Sequence, residues 1–124
     1  IDKHHMSRYI DTFRAASFDK RQGEAERMRT KYPGRVCIIV DQGKDCGDLP
    51  TIDKHKFLVP GEITMGQFAY VIRKRLKVNA EKAIFMFVSN RLPPSSMLMS
   101  TVYDEYRADD GFVYMHYSAE NTFG

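Results

Sequence analysis

One amphipathic segment constrains the fold of this chain more than any other feature. Between residues 64 and 76, apolar side chains recur every three or four positions, the spacing of one face of an α-helix. The apolar set is Met65, Phe68, Ala69, Ile72 and Leu76. Thr64 precedes this set and is a suitable N-cap residue. A helix with such a stripe must bury it, so we expect this helix to pack against a sheet.

Four other segments have the composition of strands, because they are β-branched or alternate in polarity and are bounded by turn residues. They are Arg35 to Asp41, Lys54 to Val59, Ala83 to Ser89 and Phe112 to Ser118. Pro60-Gly61 ends the second segment. Because proline cannot donate a hydrogen bond to a neighbouring strand, we expect this strand to lie near an edge of the sheet.

Three further helices are predicted. A short helix is possible between Arg8 and Phe18, and a surface helix capped by Asp19 runs to Lys31. A last helix opens at Ser95 or Ser96 and continues through Tyr106. After the N-terminal helices, the order is strand, strand, helix, strand, helix, strand. This order predicts an α+β fold of the β-grasp type, with a four-stranded sheet and one or two additional N-terminal helices.

Length and composition predict one domain. The chain has 124 residues, of which 43% are hydrophobic, enough for a single core. We interpret residues 1–5 as a leftover of an expression vector, residues 6–118 as the domain and residues 119–124 as a flexible tail. The longest apolar run, residues 36–40, is too short to span a membrane. We therefore expect a cytoplasmic protein that contacts membranes only at their surface or through an attached lipid.

No combination of residues predicts catalysis, a metal site or a cofactor. The sequence lacks the motifs of serine hydrolases, phosphate-binding loops, dinucleotide-binding folds and zinc proteases. A thiol enzyme would need Cys37 or Cys46 beside His55 or His116, but Cys37 lies in an apolar run that predicts burial. The two cysteines fit a reducing compartment. We expect a protein that is not an enzyme.

Nucleic-acid binding is also not expected. The net charge is only +3, and the basic stretch from Lys20 to Lys31 contains no aromatic residue on which a base could stack. The methionines Met86, Met97, Met99 and Met115 could form an adaptable binding face, but we interpret them as core residues.

Several segments together resemble one known family, the autophagy ubiquitin-like modifiers, which include the GABA-receptor-associated proteins and the microtubule light-chain relatives. The resemblance extends from about Phe18 to Gly124. Its segments are Lys31-Tyr32-Pro33 with Arg35-Val36, residues 49–60, Gly66-Gln67-Phe68, residues 72–76, residues 85–88, Pro93-Pro94, residues 110–115 and Thr122-Phe123-Gly124.

The resemblance implies a ubiquitin-like β-grasp, a four-stranded sheet with two additional N-terminal helices. It also implies a modifier that is conjugated through Gly124. A cysteine protease would expose this glycine, and activating and conjugating enzymes would pass it as a thioester to the amine of phosphatidylethanolamine. The lipid would hold the protein on the autophagosomal membrane, with delivery to the lysosome or vacuole. A terminal glycine suits this chemistry because it lacks a Cβ atom and can thread a narrow enzyme slot. An alternative is an unconjugated docking module in vesicle trafficking.

The resemblance also implies that cargo receptors and adaptors bind through short aromatic-x-x-aliphatic motifs, which add a strand beside residues 54–59. An aromatic pocket would use Glu24, Met28, Cys37, Lys56, Leu58 and Phe112. An aliphatic pocket would use Phe57, Val59, Pro60, Ile63, Phe68 and Val71. Acidic residues around the motif would meet Arg35, Lys54, Lys56 and Arg75.

Three parts of the sequence need separate comment within the resemblance: one residue, one segment and one pair of residues. Cys37 stands where many relatives have proline, which alters the wall of the aromatic pocket. Residues 7–17 match the family poorly. Phe85 and Phe87 match positions that the family uses at membranes, but as alternate strand residues they are equally expected to point into the core.

Overall fold

The order of helices and strands follows the sequence prediction in a computed structural model, which describes residues 8–44 and 47–119. The described elements are α1 (Tyr9–Ala15), α2 (Phe18–Lys31), β1 (Arg35–Gln42), β2 (Lys56–Pro60), α3 (Met65–Leu76), β3 (Phe85–Val88), α4 (Met99–Tyr106) and β4 (Val113–Ser118). The predicted vector leftover, Cys46 and Gly124 lie outside the described residues.

The four described strands form one mixed sheet in the order β2-β1-β4-β3. The central strands β1 and β4 run parallel, with Ile38 opposite Val113. The β1–β2 and β3–β4 pairs are antiparallel. This arrangement confirms the ubiquitin-like α+β fold, and it makes β2 an edge strand, as expected from Pro60, which is the last residue of this strand.

The main core lies between one face of the sheet and the helices α3 and α4. Four residues of the predicted stripe, Met65, Phe68, Ile72 and Leu76, are buried in it. They pack with Val36, Ile38 and Val40 of β1. Full burial of side chains of this size stabilises the fold by about 1.5–3 kcal/mol each. The amphipathic stripe therefore holds α3 against the sheet.

The helices α1 and α2 cover the opposite face of the sheet. A second apolar cluster forms there around Cys37, Ile39 and Phe112, and Ala25 is the one buried residue of α2. Tyr9, Ile10 and Phe13 of α1 pack against this cluster. The prediction that α2 is a surface helix is confirmed, and so is the burial of Cys37.

Two predicted helix starts are wrong. The cap of α2 is Ser17 rather than Asp19, because the Ser17 hydroxyl accepts a hydrogen bond from the backbone N–H of Lys20 at 3.2 Å. The helix α4 begins at Met99 rather than at Ser95 or Ser96. The intervening carbonyls instead accept hydrogen bonds from the first turn of α3, for example Met65 N to Met97 O at 2.7 Å.

The helix α1 is attached to the sheet at its N-terminal end. The buried carboxylate of Asp41 accepts a hydrogen bond from the backbone N–H of Ile10 at 2.9 Å. Beside it, the ring of Tyr9 stacks on His55 with centroids 4.1 Å apart. The imidazole of His55 is 2.8 Å from the carbonyl oxygen of Val40. These contacts place α1 next to the start of β2.

The turn before β4 is joined to α2 through a buried carboxylate. Asp110 is 1% exposed and pairs with Arg21 at 2.6 Å. Asp110 also accepts hydrogen bonds from the Tyr114 hydroxyl and from the backbone N–H of Phe112. Burial, followed by the hydrogen bond to Asp110, raises the pKa of Tyr114 to about 12. The charge of Asp110 is therefore compensated within the fold.

The strand β3 directs alternate residues to opposite faces. Met86 and Val88 enter the main core, whereas Phe87 stacks on His116 with centroids 5.2 Å apart. The sequence left two roles open for Phe85 and Phe87, and neither side chain belongs to the main core, because Met86 and Val88 on the other face of β3 pack there. The methionines Met86, Met99 and Met115 are buried, as predicted.

The stability of the fold should depend on pH through His116. Burial lowers the pKa of this imidazole below its ordinary value of 6.5, with a smaller effect of Arg8. The unfolded chain therefore takes up the proton first, and stability present above about pH 6.5 is lost as the pH falls below it. A His116→Gln variant should lose less stability than the unmodified chain between pH 7.5 and pH 5.5. Urea denaturation at both pH values measures the difference, and equal losses in the two proteins would contradict this role.

Candidate functional site

The outer edge of β2 has no strand partner among the described residues. On its inner edge β2 pairs with β1, so that Val59 lies opposite Val36 and Leu58 opposite Cys37. An open edge presents backbone N–H and C=O groups in the pattern that an additional strand requires. Because side chains alternate along a strand, the two faces of β2 offer different surfaces beside that edge.

The first surface lies between β2 and α2. Here the side chains of Met28, Cys37, Leu58 and Phe112 belong to one apolar cluster. Across it, the Nζ atom of Lys56 pairs with Glu24 Oε2 at 2.9 Å. The structure therefore brings together all six residues carried over as the aromatic pocket.

Two titratable groups of this surface have shifted pKa values. Partial burial alone would lower the pKa of Lys56, but the hydrogen bond and charge of Glu24, with a smaller contribution from Tyr9, outweigh it and raise the pKa. Burial raises the pKa of the Cys37 thiol, although the nearby Arg29 opposes this effect. Lys56 therefore remains a cation, and Cys37 remains a neutral apolar side chain rather than a nucleophile.

The second surface lies between β2 and α3. Phe57 and Val59 turn towards the main core, and Phe57 contacts Phe68 edge-on with centroids 5.6 Å apart. Ile63 is half-buried against the same core, and Val71 is 42% exposed on α3. The residues carried over as the aliphatic pocket therefore come from β2, the turn after it and α3.

The carried-over residues differ in what they can touch. Five of them are buried and can only form the floor or walls of a pocket: Cys37, Phe57, Val59, Phe68 and Phe112. Phe68 is 0% exposed, so it supports the fold from beneath. The half-buried Met28, Leu58 and Ile63 are accessible to a bound side chain.

The four cations around the groove already have intramolecular neighbours. Arg75 donates a hydrogen bond from Nε to Asp53 Oδ1 at 2.8 Å, and this bond lowers the pKa of Asp53. Lys54 lies over the ring of Phe57 at 5.0 Å, and Arg35 lies over that of Tyr32 at 5.9 Å. An acidic partner would compete with Asp53 for Arg75, just as it would compete with Glu24 for Lys56.

Sequence reasoning missed the contribution of α1 to this site. The ring of Phe13 contacts Phe112 edge-on at 5.1 Å, and Lys56 Nζ lies 5.1 Å from the centroid of Phe13. The segment that resembles the family poorly is thus placed beside the first surface. The available signal was the pair Tyr9 and Phe13, four positions apart on one helix face.

The geometry does not assemble a thiol enzyme from the described cysteine. Cys37 is 2% exposed, and His55 is engaged with Val40 and Tyr9. In the described part of the chain, no three metal-binding side chains come together. None of the helices described is long and apolar enough to cross a membrane.

Comparisons with known proteins agree with this fold. A family described as "Autophagy protein Atg8 ubiquitin like" matches residues 20–124. The chain is 56% identical over 108 residues to autophagy-related protein 8 of Mycosarcoma maydis, covering 87% of this chain and 91% of that relative. It is 52% identical over 118 residues to autophagy-related protein 8 of Schizosaccharomyces pombe, covering 95% and 94%.

A solved structure is also similar over the full length. The crystal structure of Trypanosoma brucei ATG8 superposes with a TM-score of 0.80 at 39% identity and covers 100% of this chain and 99% of that one. Members of this family are ubiquitin-like modifiers and adaptors rather than enzymes. The chain belongs to the Atg8 family of autophagy ubiquitin-like proteins.

Proposed function

We propose that this protein is an autophagy modifier that recruits partners by binding short aromatic-x-x-aliphatic motifs at β2. The motif would add a strand to the open edge of β2, with its aromatic side chain towards α2 and its aliphatic side chain towards α3. The partners are cargo receptors and adaptors that carry such motifs.

The observation that carries this proposal is the open edge of β2 between two apolar surfaces. Leu58 and Met28 are half-buried on one side, and Ile63 is half-buried on the other. Burying one aromatic and one aliphatic side chain would remove about 300 Å² of apolar surface, worth about 7 kcal/mol before the costs of association. Those costs offset a large share of this gain and so raise the dissociation constant, which we expect to lie in the micromolar range.

Combined replacement of Lys56 by Glu and Leu58 by Ala tests the groove. The first change reverses the charge that faces acidic residues of the motif, and the second removes apolar contact area. We expect binding of an acidic aromatic-x-x-aliphatic peptide to weaken about tenfold or more, as measured by calorimetry.

A matched control applies the same changes away from β2. Lys20 is exposed near the start of α2, and Leu92 is 37% exposed just beyond β3. The Lys20→Glu, Leu92→Ala variant should bind the peptide as the unmodified chain does. An unchanged affinity in the Lys56 and Leu58 variant would show that the groove is assigned wrongly.

The second part of the proposal is conjugation through Gly124 to phosphatidylethanolamine. A processing cysteine protease and activating and conjugating enzymes would act on the tail of residues 119–124. The place of the tail in the chain supports this part of the proposal, because the tail follows directly after Ser118, where β4 ends. A lipid with two acyl chains would hold the protein stably on a membrane, where one chain would not.

The alternative is an unconjugated docking module in vesicle trafficking. Electrophoresis of the cellular protein separates the two possibilities. A faster-migrating form that pellets with membranes, including autophagosomal membranes destined for the lysosome or vacuole, supports conjugation. A single soluble form favours the free module.

A further inference from the structure

A cavity of about 510 Å³ lies between α2, α4 and the turn that leads into β4. The residues that α2 contributes to it include Gln22, Glu26, Arg29 and Thr30. These positions are three or four residues apart and share one face of the helix. Glu24 and Met28, which border the groove at β2, lie on a different face of α2. The cavity and the groove therefore lie on neighbouring faces of α2, and the buried Ala25 contacts both.

Two exposed arginines of the cavity lining lie over the same aromatic ring. The Cζ atom of Arg29 on α2 lies 4.6 Å from the ring centroid of Tyr103, and that of Arg107, just after α4, lies 5.3 Å from it. Tyr103 is only 4% exposed, so its ring is a fixed support for both groups. A guanidinium group that lies over an aromatic face can still donate hydrogen bonds from its N–H groups, and Arg107 Nη1 donates one to the carbonyl oxygen of Asp104 at 3.3 Å. Arginine side chains held in this way lose less conformational freedom when they bind an anion.

The two guanidinium groups are not neutralised by close ion pairs. Arg107 has a loose contact with the exposed Asp104 at 3.8 Å. Within residues 8–44 and 47–119, Arg29 has no carboxylate within 4.0 Å. Asp110 also borders the cavity, but Arg21 pairs with it. Two arginines from different elements that converge on one cavity are the arrangement that binds phosphate groups.

The rim of the cavity also carries negative charge, from Glu26 and Asp109. These carboxylates would repel a nucleic acid and would also oppose a phosphate group that has no cation beside it. A cation on the same ligand would pair with them. The cavity volume falls in the range of ligand sites and exceeds what a phosphate ion alone would fill. A phosphorylated peptide segment with a nearby basic side chain matches both the size and the charge pattern.

We propose that this cavity binds a phosphorylated side chain of a partner peptide, with Arg29 and Arg107 holding the phosphate. Thr30 and Gln22 are placed to donate further hydrogen bonds. Glu26 and Asp109 select a basic residue near the phosphorylated position. The two arginines that hold the phosphate are not among the groove residues at β2, so one copy of the protein can hold a motif and a phosphorylated segment together.

Nuclear magnetic resonance titration of the full chain tests this site. The probe is a short peptide in which phosphoserine is followed two positions later by lysine, compared with its unphosphorylated form. The phosphorylated peptide should shift the backbone amide signals of Arg29, Thr30, Arg107 and Gly111, and the unphosphorylated form should not. Shifts centred on β2 would overturn the assignment.

Variants of the two arginines give the quantitative test. Arg29→Gln and Arg107→Gln should each weaken binding about tenfold, because each removes a charge-assisted pair of hydrogen bonds. Arg107→Lys keeps the charge and should retain part of the affinity. Arg27→Gln is the control, because Arg27 is exposed on α2 but does not line the cavity. Unchanged binding in both glutamine variants would overturn the proposal.

Inorganic phosphate distinguishes a peptide site from a site for the free ion. Phosphate alone should shift the same amide signals at much higher concentration, since it cannot use Glu26 or Asp109. If phosphate binds as tightly as the phosphopeptide, the peptide assignment is wrong. In a protein that also carries Lys56→Glu and Leu58→Ala, Arg29→Gln and Arg107→Gln should still weaken binding of the phosphopeptide. If they have no effect there, the two sites are not independent.

Discussion

Replacement of Gly124 by alanine is expected to abolish conjugation to phosphatidylethanolamine while leaving the folded domain unchanged. The activating and conjugating enzymes would have to admit the tail in an extended form and reach its terminal carbonyl. Glycine permits the closest approach because it has no Cβ atom, and a methyl group at that point would clash with a narrow slot. Reconstituted conjugation followed by gel electrophoresis measures the loss as the absence of the faster-migrating form.

A second glycine provides the control for this change. Apart from its chain neighbours and the nearby helix backbone, a Cβ atom added at Gly23 in α2 would come no closer than 3.4 Å to another atom, the nearest being a side-chain nitrogen of Arg27. Gly23→Ala should therefore conjugate as the unmodified chain does. Circular dichroism of both variants should match the unmodified protein, since residue 124 lies beyond the last strand. Undiminished lipidation of Gly124→Ala would refute conjugation through this residue.

Replacement of Phe68 by alanine is expected to destabilise the fold by about 3–5 kcal/mol, as is typical of deleting a buried phenyl ring. Phe68 is 0% exposed and contacts Phe57 of β2 edge-on. The cavity left by the ring would lie between α3 and the edge strand. Urea denaturation measures the loss of free energy of unfolding, and the peptide groove should weaken as β2 loosens.

Tyr70 on the same helix is the matched control. It is 57% exposed, so removing its ring should change the free energy of unfolding by no more than about 0.5 kcal/mol. If Phe68→Ala lowered the free energy of unfolding as little as Tyr70→Ala, Phe68 would not be packed between α3 and β2 as described. A loss of peptide binding with full stability would instead mean that Phe68 contacts the ligand directly.

The sequence predicted best the helix and the strand that have the clearest apolar patterns. The apolar stripe from Met65 to Leu76 indicates a helix that packs on one face, and the apolar run from Val36 to Val40 indicates a strand that is covered on both faces. Few arrangements of the chain bury all of these side chains. The order of elements then restricts the topology to very few arrangements. This is why the fold class could be predicted from the sequence before any coordinates.

The ends of elements were less predictable because tertiary hydrogen bonds decide them. Ser95 and Ser96 have the chemistry of helix caps, but the carbonyls of this segment bond to the first turn of α3. The phase of β3 was ambiguous for a related reason. A run of four apolar residues does not reveal which of Phe87 or Val88 faces the core.

The groove was located by family resemblance rather than by pattern. Residue spacing places Lys56 and Leu58 on one face of β2, but it does not reveal that Glu24 approaches Lys56 from α2. Long-range pairs such as Arg75 with Asp53 depend on how a loop returns to a helix. The structure also distinguishes residues that a bound peptide can contact, such as the half-buried Leu58, from fully buried residues that only support the fold, such as Phe68. The sequence alone does not distinguish these two kinds of residue.

The tail leaves the domain from β4, which is a central strand of the sheet rather than its rim. A pull on a membrane-bound copy through residues 119–124 would load β4 along its axis, against hydrogen bonds to β1 on one side and β3 on the other. On the β1 side the strands are parallel, so a pull on the end of β4 that is opposed at the start of β1 would load those bonds together in shear instead of opening them one at a time. The connection from the tail to the rest of the domain would then resist force through the two central strands.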